Sequence, residues 1–417
     1  MQRKPLIVMY SPDSIGLGHI RRLATIASRV VARNPSASVL LLVGSGVGAF
    51  FDLPLRVDSI KLPSVQKIGR NEWRPRTLGL SSHATGQLRA GMIRETIEVL
   101  EPDVLLVDHS PAGIWNELAP ALQSIERRSL KVRTVLGLRD ILDEPARVRQ
   151  KWRADGVYDL IRRYYDDVLI YGAPEVFAAA DHYGLNACVR GELHYCGYVS
   201  EEVGQDTAAG EPLPQELVQL RGRRLAVVTA GGGHDAFPMM SACIAAMGRL
   251  GSSDDLAMVA ITGPLMAAAE REALRRQARD CPVTIVPWTK QLSVYLNAAD
   301  LLVTMGGYNS VLEAAAWAKP TLIIPRDGPT AEQSMRAAMF DRLGLMTHVP
   351  LASATPTRLA EIFMQPPSGA SRPTRLPLDG ADKAAALLLD RLPVRRGNGR
   401  AELDAWDTAA TAAHGAR

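Results

Sequence analysis

Three times in this chain a short apolar run ends in a glycine loop that leads straight into a helix. Leu6-Ile7-Val8-Met9-Tyr10 runs into Gly16-Leu17-Gly18-His19, Leu225 to Thr229 into Gly231-Gly232-Gly233-His234, and Leu301 to Thr304 into Met305-Gly306-Gly307. A continuous apolar run of that length fits a strand covered on both faces, which is the strand of a parallel sheet. Parallel strands need crossover connections, and a helix is the usual one, so the junctions predict βα units. The 34 glycines and 27 prolines among 417 residues supply the many turns that such alternation demands.

The remaining runs extend the pattern. Val39 to Val43, Val104 to Val107, Val132 to Leu136 and Val168 to Tyr171 complete a first parallel sheet. Met258 to Ile261, Val283 to Val286 and Thr321 to Ile324 complete a second. Ile20, Leu23, Ile26, Ala27, Val30 and Val31 form the apolar face of the first helix. The polar, turn-rich stretch from Glu201 to Pro214 separates the two sets. The expected organisation is therefore α/β, with two Rossmann-like doubly wound domains facing across a cleft. Residues 1–199 form the first, 200–223 a linker and 224–392 the second. A last helix from Ala381 to Leu392 is expected to pack back on the first domain, and 393–417 are expected to be a mobile tail.

Composition removes several classes. Apolar residues at 47% and charged residues at 22% exclude a disordered chain. The net charge of +4 comes from dispersed residues, with no basic patch interleaved with aromatics, so nucleic acid is not an expected partner. No apolar run reaches membrane-spanning length, and the N-terminal apolar stretch is too short for a signal peptide. The four cysteines, Cys188, Cys196, Cys243 and Cys281, lack metal-site spacing, and a reducing cytoplasm is the expected compartment.

The densest chemistry lies in Met305-Gly306-Gly307-Tyr308-Asn309-Ser310-Val311-Leu312-Glu313. Glycines at a strand end let a ligand approach the backbone, and free N–H groups at a helix start favour an anion such as a diphosphate. Ser310 adds a hydroxyl, and Glu313, one turn on, is placed to accept hydrogen bonds from ribose hydroxyls. A plain turn with a helix cap would explain the glycine pair alone. The continuation argues for more: the helix ends at Ala318-Lys319-Pro320, a strand follows, and Arg326-Asp327-Gly328-Pro329-Thr330-Ala331-Glu332-Gln333 comes next.

This succession resembles the nucleotide-sugar signature of GT-B glycosyltransferases, and the whole arrangement is similar to the bacterial lipid-linked N-acetylglucosaminyltransferases (glycosyltransferase family 28) and their relatives. The resemblance spans about residues 5 to 392 and is most specific over 301 to 345. It implies transfer of an N-acetylhexosamine or hexose from a nucleotide diphosphate donor, most naturally a UDP-sugar, to an acceptor hydroxyl of a glycan, lipid-linked sugar or small molecule. Gly306, Gly307, Asn309 and Ser310 would hold the diphosphate, Glu313 the ribose, and Glu332 and Gln333 the donor sugar. Thr289, in Pro287-Trp288-Thr289, would lie at the base, and Gly231, Gly232 and His234 near the diphosphate. Met305 stands where the plant-type signature begins with histidine, and His234 is the candidate substitute. No arginine follows Gly197-Tyr198-Val199 at the domain junction.

On the acceptor side, Gly16, Gly18 and His19 resemble the family's glycine-histidine loop. A hydroxyl is a poor nucleophile, so an inverting transfer needs a base. His19 is the candidate, Asp108 its orienting carboxylate and His109 a competing member of the pair. Arg139 to Pro145 is either an acceptor wall or a solvated, capped loop. The basic stretch Lys67 to Arg76, which contains Trp73, is either a contact for anionic headgroups, giving a peripheral position at the inner membrane face, or an ordinary surface loop. No Asp-x-Asp motif follows a strand, so neither metal nor cofactor is expected. The same fold also serves nucleotide-sugar hydrolases, 2-epimerases and non-catalytic sugar-nucleotide binding proteins.

Overall fold

A computed structural model describes residues 4–12, 18–44, 52–68, 72–200, 213–250, 255–328, 330–366 and 376–392. Gly16, the first half of the stretch read as a linker (201–212) and the tail after 392 lie outside these residues. Fifteen strands are present among those described. The first sheet uses β1 (Leu6–Ser11), β2 (Ser38–Val43), β3 (Val57–Lys61), β6 (Val104–Asp108), β7 (Arg133–Arg139), β8 (Asp167–Tyr171) and β9 (Leu193–Tyr195). A small hairpin, β4 (Val65–Lys67) and β5 (Trp73–Pro75), stands apart. The second sheet uses β10 (Arg224–Thr229), β11 (Leu256–Ile261), β12 (Val283–Val286), β13 (Leu301–Thr304), β14 (Thr321–Ile323) and β15 (Thr347–His348).

Both sheets are parallel throughout. Their orders are β3-β2-β1-β6-β7-β8-β9 and β12-β11-β10-β13-β14-β15, so each winds outward in both directions from a central pair. In such a sheet a crevice opens beyond the carboxyl ends of the strands where the winding reverses. Here those points lie between β1 and β6 and between β10 and β13. The loops read from sequence as chemical, after residues 11, 108, 229 and 304, all leave from these points. This is the doubly wound, two-sheet GT-B architecture.

The central strands are buried along nearly their whole length, as their unbroken apolar sequences require. The short strands β3, β4, β5, β9 and β15 have no comparable run and were not evident in the sequence. The second half of the stretch read as a linker contains a helix, Gln215–Gln219, which buries Leu217 and pairs Glu216 with the Tyr295 hydroxyl. At the other end, helix Gly380–Asp390 packs along helix Gly18–Arg33, with Asp382 between Arg29 and Arg33. One continuous apolar core joins the two halves: Tyr171 and Tyr198 from the first meet Tyr308 and Phe340 from the second.

Candidate functional site

Helix Gly18–Arg33 opens at the switch point of the first sheet, and its first turn carries His19. Strand β6 ends on Asp108, which is fully buried. The two meet: His19 Nδ1 lies 2.6 Å from Asp108 Oδ2. Arg22, three residues along the helix and therefore on the same face, also reaches this carboxylate. Its Nε donates to Oδ1 at 3.1 Å and its Nη2 to Oδ2 at 2.6 Å. Burial alone would raise the Asp108 pKa, but the Arg22 charge and the His19 contact outweigh it and hold the carboxyl well below the usual range.

His109 takes a different place. Its backbone is left-handed, at φ 65°, its N–H donates to Gly137 O at 2.7 Å, and its ring lies tilted at 44° against His19 with the centroids 4.8 Å apart. Its Nδ1 is buried and has no partner among the described residues. Burial, helped by the nearby Arg139 charge, pushes its pKa well below the ordinary histidine value.

The facing half is built around helix Tyr308–Ala316, whose N-cap is Gly307 in extended conformation with no side-chain cap. The first N–H groups of such a helix have no intrahelical acceptor and are available to an anion. Gly306 adopts φ 81°, and a Cβ there would come within 2.8 Å of Ile323 Cγ2. Gly231, at φ 57°, sits so that a Cβ would point at Ser310 Oγ, 3.7 Å away. The loop after β10 and the loop after β13 therefore enclose one glycine-lined cradle that ends on Ser310. Gly232 and Gly233 complete the first loop, and Gly233 packs on the Thr262 carbonyl. Asn309 reaches across: its Nδ2 lies 3.5 Å from where a Gly18 Cβ would stand, so the starts of the two helices face one another.

Other candidates stand further from this arrangement. His234 is exposed at the loop edge, with Asp235 at 4.0 Å, and Asp235 itself pairs with Arg326. Thr289 uses its hydroxyl to accept the Gln291 N–H at 3.0 Å, which shapes the turn before helix Leu292–Ala298. Met305 is buried in the core of the second half instead of lining the cradle. Gln333 Oε1 accepts the Arg326 N–H at 3.3 Å.

The two acidic candidates are engaged by arginines. Glu313 pairs with Arg21 across the cleft. Glu332 accepts from Arg139 Nη1 at 2.6 Å and from both terminal nitrogens of Arg336 at 3.1 Å. Burial raises its pKa, but Arg139 and Arg336 lower it further and keep it charged. Arg336 also reaches Asp140 Oδ1 at 3.3 Å and the Gly306 carbonyl at 3.0 Å. Asp143 accepts the Ala331 N–H at 2.9 Å. The segment from Arg139 to Asp143 is thus a seam between the two halves. The solvated, capped loop holds only for its end, where Glu144 is exposed and stands at the N-cap of helix Pro145–Ala154, whereas the charges of Arg139, Asp140 and Asp143 find partners on the other half. Away from this seam, Arg21, Arg22, Thr25, Asn309, Leu312 and Glu313 line a small crevice between helices Gly18–Arg33 and Tyr308–Ala316.

Sequence reasoning missed Arg22, Arg336 and Tyr308. The first had a signal, an arginine at i+3 from the candidate base. Arg336 had one too, at i+4 from the candidate Glu332, but Tyr308 had none, because the partners of its hydroxyl lie more than a hundred residues away.

Residues 226–365 match the profile of the glycosyltransferase family 28 C-terminal domain. A curated relative, UDP-N-acetylglucosamine--N-acetylmuramyl-(pentapeptide) pyrophosphoryl-undecaprenol N-acetylglucosamine transferase of Methylorubrum extorquens (strain PA1), is 30% identical over 117 residues. That alignment covers 26% of this chain and 32% of the relative, so the chain spans about a third of the length of that relative. Among solved structures, the glycotransferase of kitacinnamycin superposes with a TM-score of 0.61 at 17% identity, covering 94% of this chain and 100% of the other. A UDP-N-acetylglucosamine 2-epimerase gives 0.61 at 13% identity, covering 96% and 99%. The chain resembles the GT-B glycosyltransferases over its length, and its second half resembles family 28.

Proposed function

We propose that the protein is a glycosyltransferase that moves a sugar, an N-acetylhexosamine or hexose, from a UDP-linked donor to an acceptor hydroxyl, with inversion and without a metal ion. The observation that carries this reading is the His19–Asp108 contact at 2.6 Å, set opposite the glycine cradle that ends on Asn309 and Ser310. The family 28 match over residues 226–365 supports the donor side.

In this reading His19, with Nδ1–H held on Asp108, takes the acceptor proton on Nε2. The acceptor oxygen bonds to the anomeric carbon from the face opposite the diphosphate. The bond from that carbon to the diphosphate oxygen breaks, and its electron pair leaves with the phosphate. Backbone N–H groups around Gly307 to Ser310, with the Ser310 hydroxyl, meet the charge that develops there. Asn309, Gly231, Gly232 and His234 border the diphosphate, Thr289 the base, Glu313 the ribose, and Glu332 and Gln333 the sugar. Arg21 must then yield Glu313 to the ribose as the donor binds.

The acceptor is proposed to be lipid-linked, with the protein working peripherally at the cytoplasmic membrane face in bacterial glycan assembly. Exposed Leu78, Leu80 and Leu88 beside exposed Arg74 and Arg76 support this, as do the names of the curated relatives. No helix among the described residues is long and apolar enough to cross a membrane.

A thermal-shift panel of UDP-, GDP-, dTDP- and CDP-sugars tests the donor. Donor at a hundred times its Kd should stabilise the protein by about 2.7 kcal/mol, and Glu313→Ala should reduce the shift. No shift with any nucleotide sugar would reject the reading. Donor consumed without acceptor, giving free sugar or an epimeric nucleotide sugar, would replace transfer by hydrolysis or 2-epimerisation. Binding without turnover would indicate a sugar-nucleotide binding protein.

A further inference from the structure

The candidate base has a third partner that a histidine–carboxylate pair does not require. Arg22 is buried, with 2% of its side chain exposed, and its two-point grip on Asp108 already neutralises the carboxylate. The same Nη2 lies 2.9 Å from His19 Nδ1. One nitrogen cannot donate to Asp108 and accept from Arg22 together. The 2.6 Å contact to the carboxylate is the shorter, and Arg22 is satisfied by Asp108 without the imidazole, so the proton belongs on Nδ1 and Nε2 is left bare.

Of the other charged or titratable groups nearby, the His109 ring lies tilted against His19 with the centroids 4.8 Å apart, and Glu332, itself held by Arg139 and Arg336, faces His19 from the second half.

Arg22 is held where it is from behind. Its guanidinium lies 5.2 Å from the Tyr171 ring and 5.4 Å from the Tyr308 ring. Tyr308 is the first residue of the helix that opens the glycine cradle. Its hydroxyl donates to Tyr171 O at 3.0 Å and accepts from Val199 N at 3.0 Å. The chain of contacts therefore runs from the cradle helix through Tyr308 and Arg22 to Asp108 and His19.

We propose that Arg22 is a positioning residue: its fork fixes the Asp108 carboxylate so that Oδ2 holds the His19 ring by its Nδ1 proton, and Tyr308, by holding Arg22, ties that geometry to the seating of the cradle helix. The catalytic consequence rests on His19 acting as the base, but the His19–Asp108 hydrogen bond is measurable without any turnover.

The test is imidazole NMR of the full-length protein at neutral pH, with His19 assigned among the 8 histidines by His19→Gln. Expected are an Nδ1–H tautomer in the wild type, with an Nδ1 proton that is shifted downfield and slow to exchange, and about tenfold faster exchange of that proton in Arg22→Gln. Arg22→Lys, which keeps the charge but loses the fork and the stacking, should speed the exchange by less. Tyr308→Leu should act in the same direction. An Nε2–H tautomer in the wild type, or an unchanged Nδ1 proton in Arg22→Gln, would overturn the proposal. Should Arg22→Gln fail to fold, an unchanged Nδ1 proton in both Arg22→Lys and Tyr308→Leu would overturn it equally. An unchanged Nδ1 proton in Tyr308→Leu alone would remove the link to the cradle helix. Where turnover is found, kcat in Arg22→Lys should fall while the donor KM changes less than twofold. A His19→Ala variant with normal turnover would sink the base reading and leave the NMR result standing.

Discussion

At the scale of single residues, His19, Asp108 and His109 differ in what their surroundings ask of them. His19→Ala removes only the proposed proton acceptor. Turnover should fall by about 10²–10⁴-fold, while the donor-induced thermal shift stays as in the wild type. His109 makes a prediction about stability. Burial, with the Arg139 charge beside it, keeps its folded pKa below the ordinary value, so the unfolded chain takes up a proton first as pH drops. Stability from this group is full above about pH 6.5 and is lost on acidification toward the folded pKa, by at most about 1.4 kcal/mol per pH unit. Urea midpoints at pH 7.5 and 5.5 should therefore differ less in His109→Asn than in the wild type. Asparagine tolerates the left-handed backbone at this position, so the comparison isolates the titration.

At the scale of elements, the glycine loops separate strain from function. At Gly233 a Cβ would lie 2.0 Å from the Thr262 carbonyl oxygen, and φ is 90°. Neither backbone can give way cheaply, so Gly233→Ala should cost more than about 3 kcal/mol in chemical denaturation. At Gly231 the only close atom among the described residues is Ser310 Oγ, at 3.7 Å. Gly231→Ala should cost about 1–2 kcal/mol for its left-handed backbone, yet narrow the cradle and weaken the UDP-sugar thermal shift. An undiminished shift in that folded variant would place the diphosphate elsewhere. The central strands and their glycine exits were legible in the sequence because burial on both faces imposes unbroken apolar runs. The short strands β3, β9 and β15 were not, because an edge strand is half-exposed and its pairing comes from a neighbour already in place.

At the scale of the whole molecule, the seam between the halves combines a shared apolar core with buried charge. Arg336 is fully buried between Asp140 of the first half and Glu332 beside it. Burial works against its charge, but the two carboxylates raise its pKa and keep it protonated. Arg336→Met would leave Asp140 with an uncompensated buried charge. The loss should be about 3–5 kcal/mol by denaturant titration. A loss below about 1 kcal/mol would mean that the two halves are not coupled through this residue.

The sequence by itself determined the two parallel sheets, the strand ends at which chemistry can sit, and the identity of the groups near them: His19, Asp108, the glycine loops, Asn309, Ser310 and the acidic candidates. These follow from local rules, since apolar runs, glycine and helix starts act over a few residues. Only the tertiary structure decided how those groups are partnered. It put Asp108 between His19 and Arg22, gave Glu313 to Arg21 and Glu332 to Arg139 and Arg336, and turned Arg139 to Asp143 into a seam. Charge pairing between distant segments depends on which of them exclude water together, and spacing along the chain records only near neighbours such as Glu332 and Arg336.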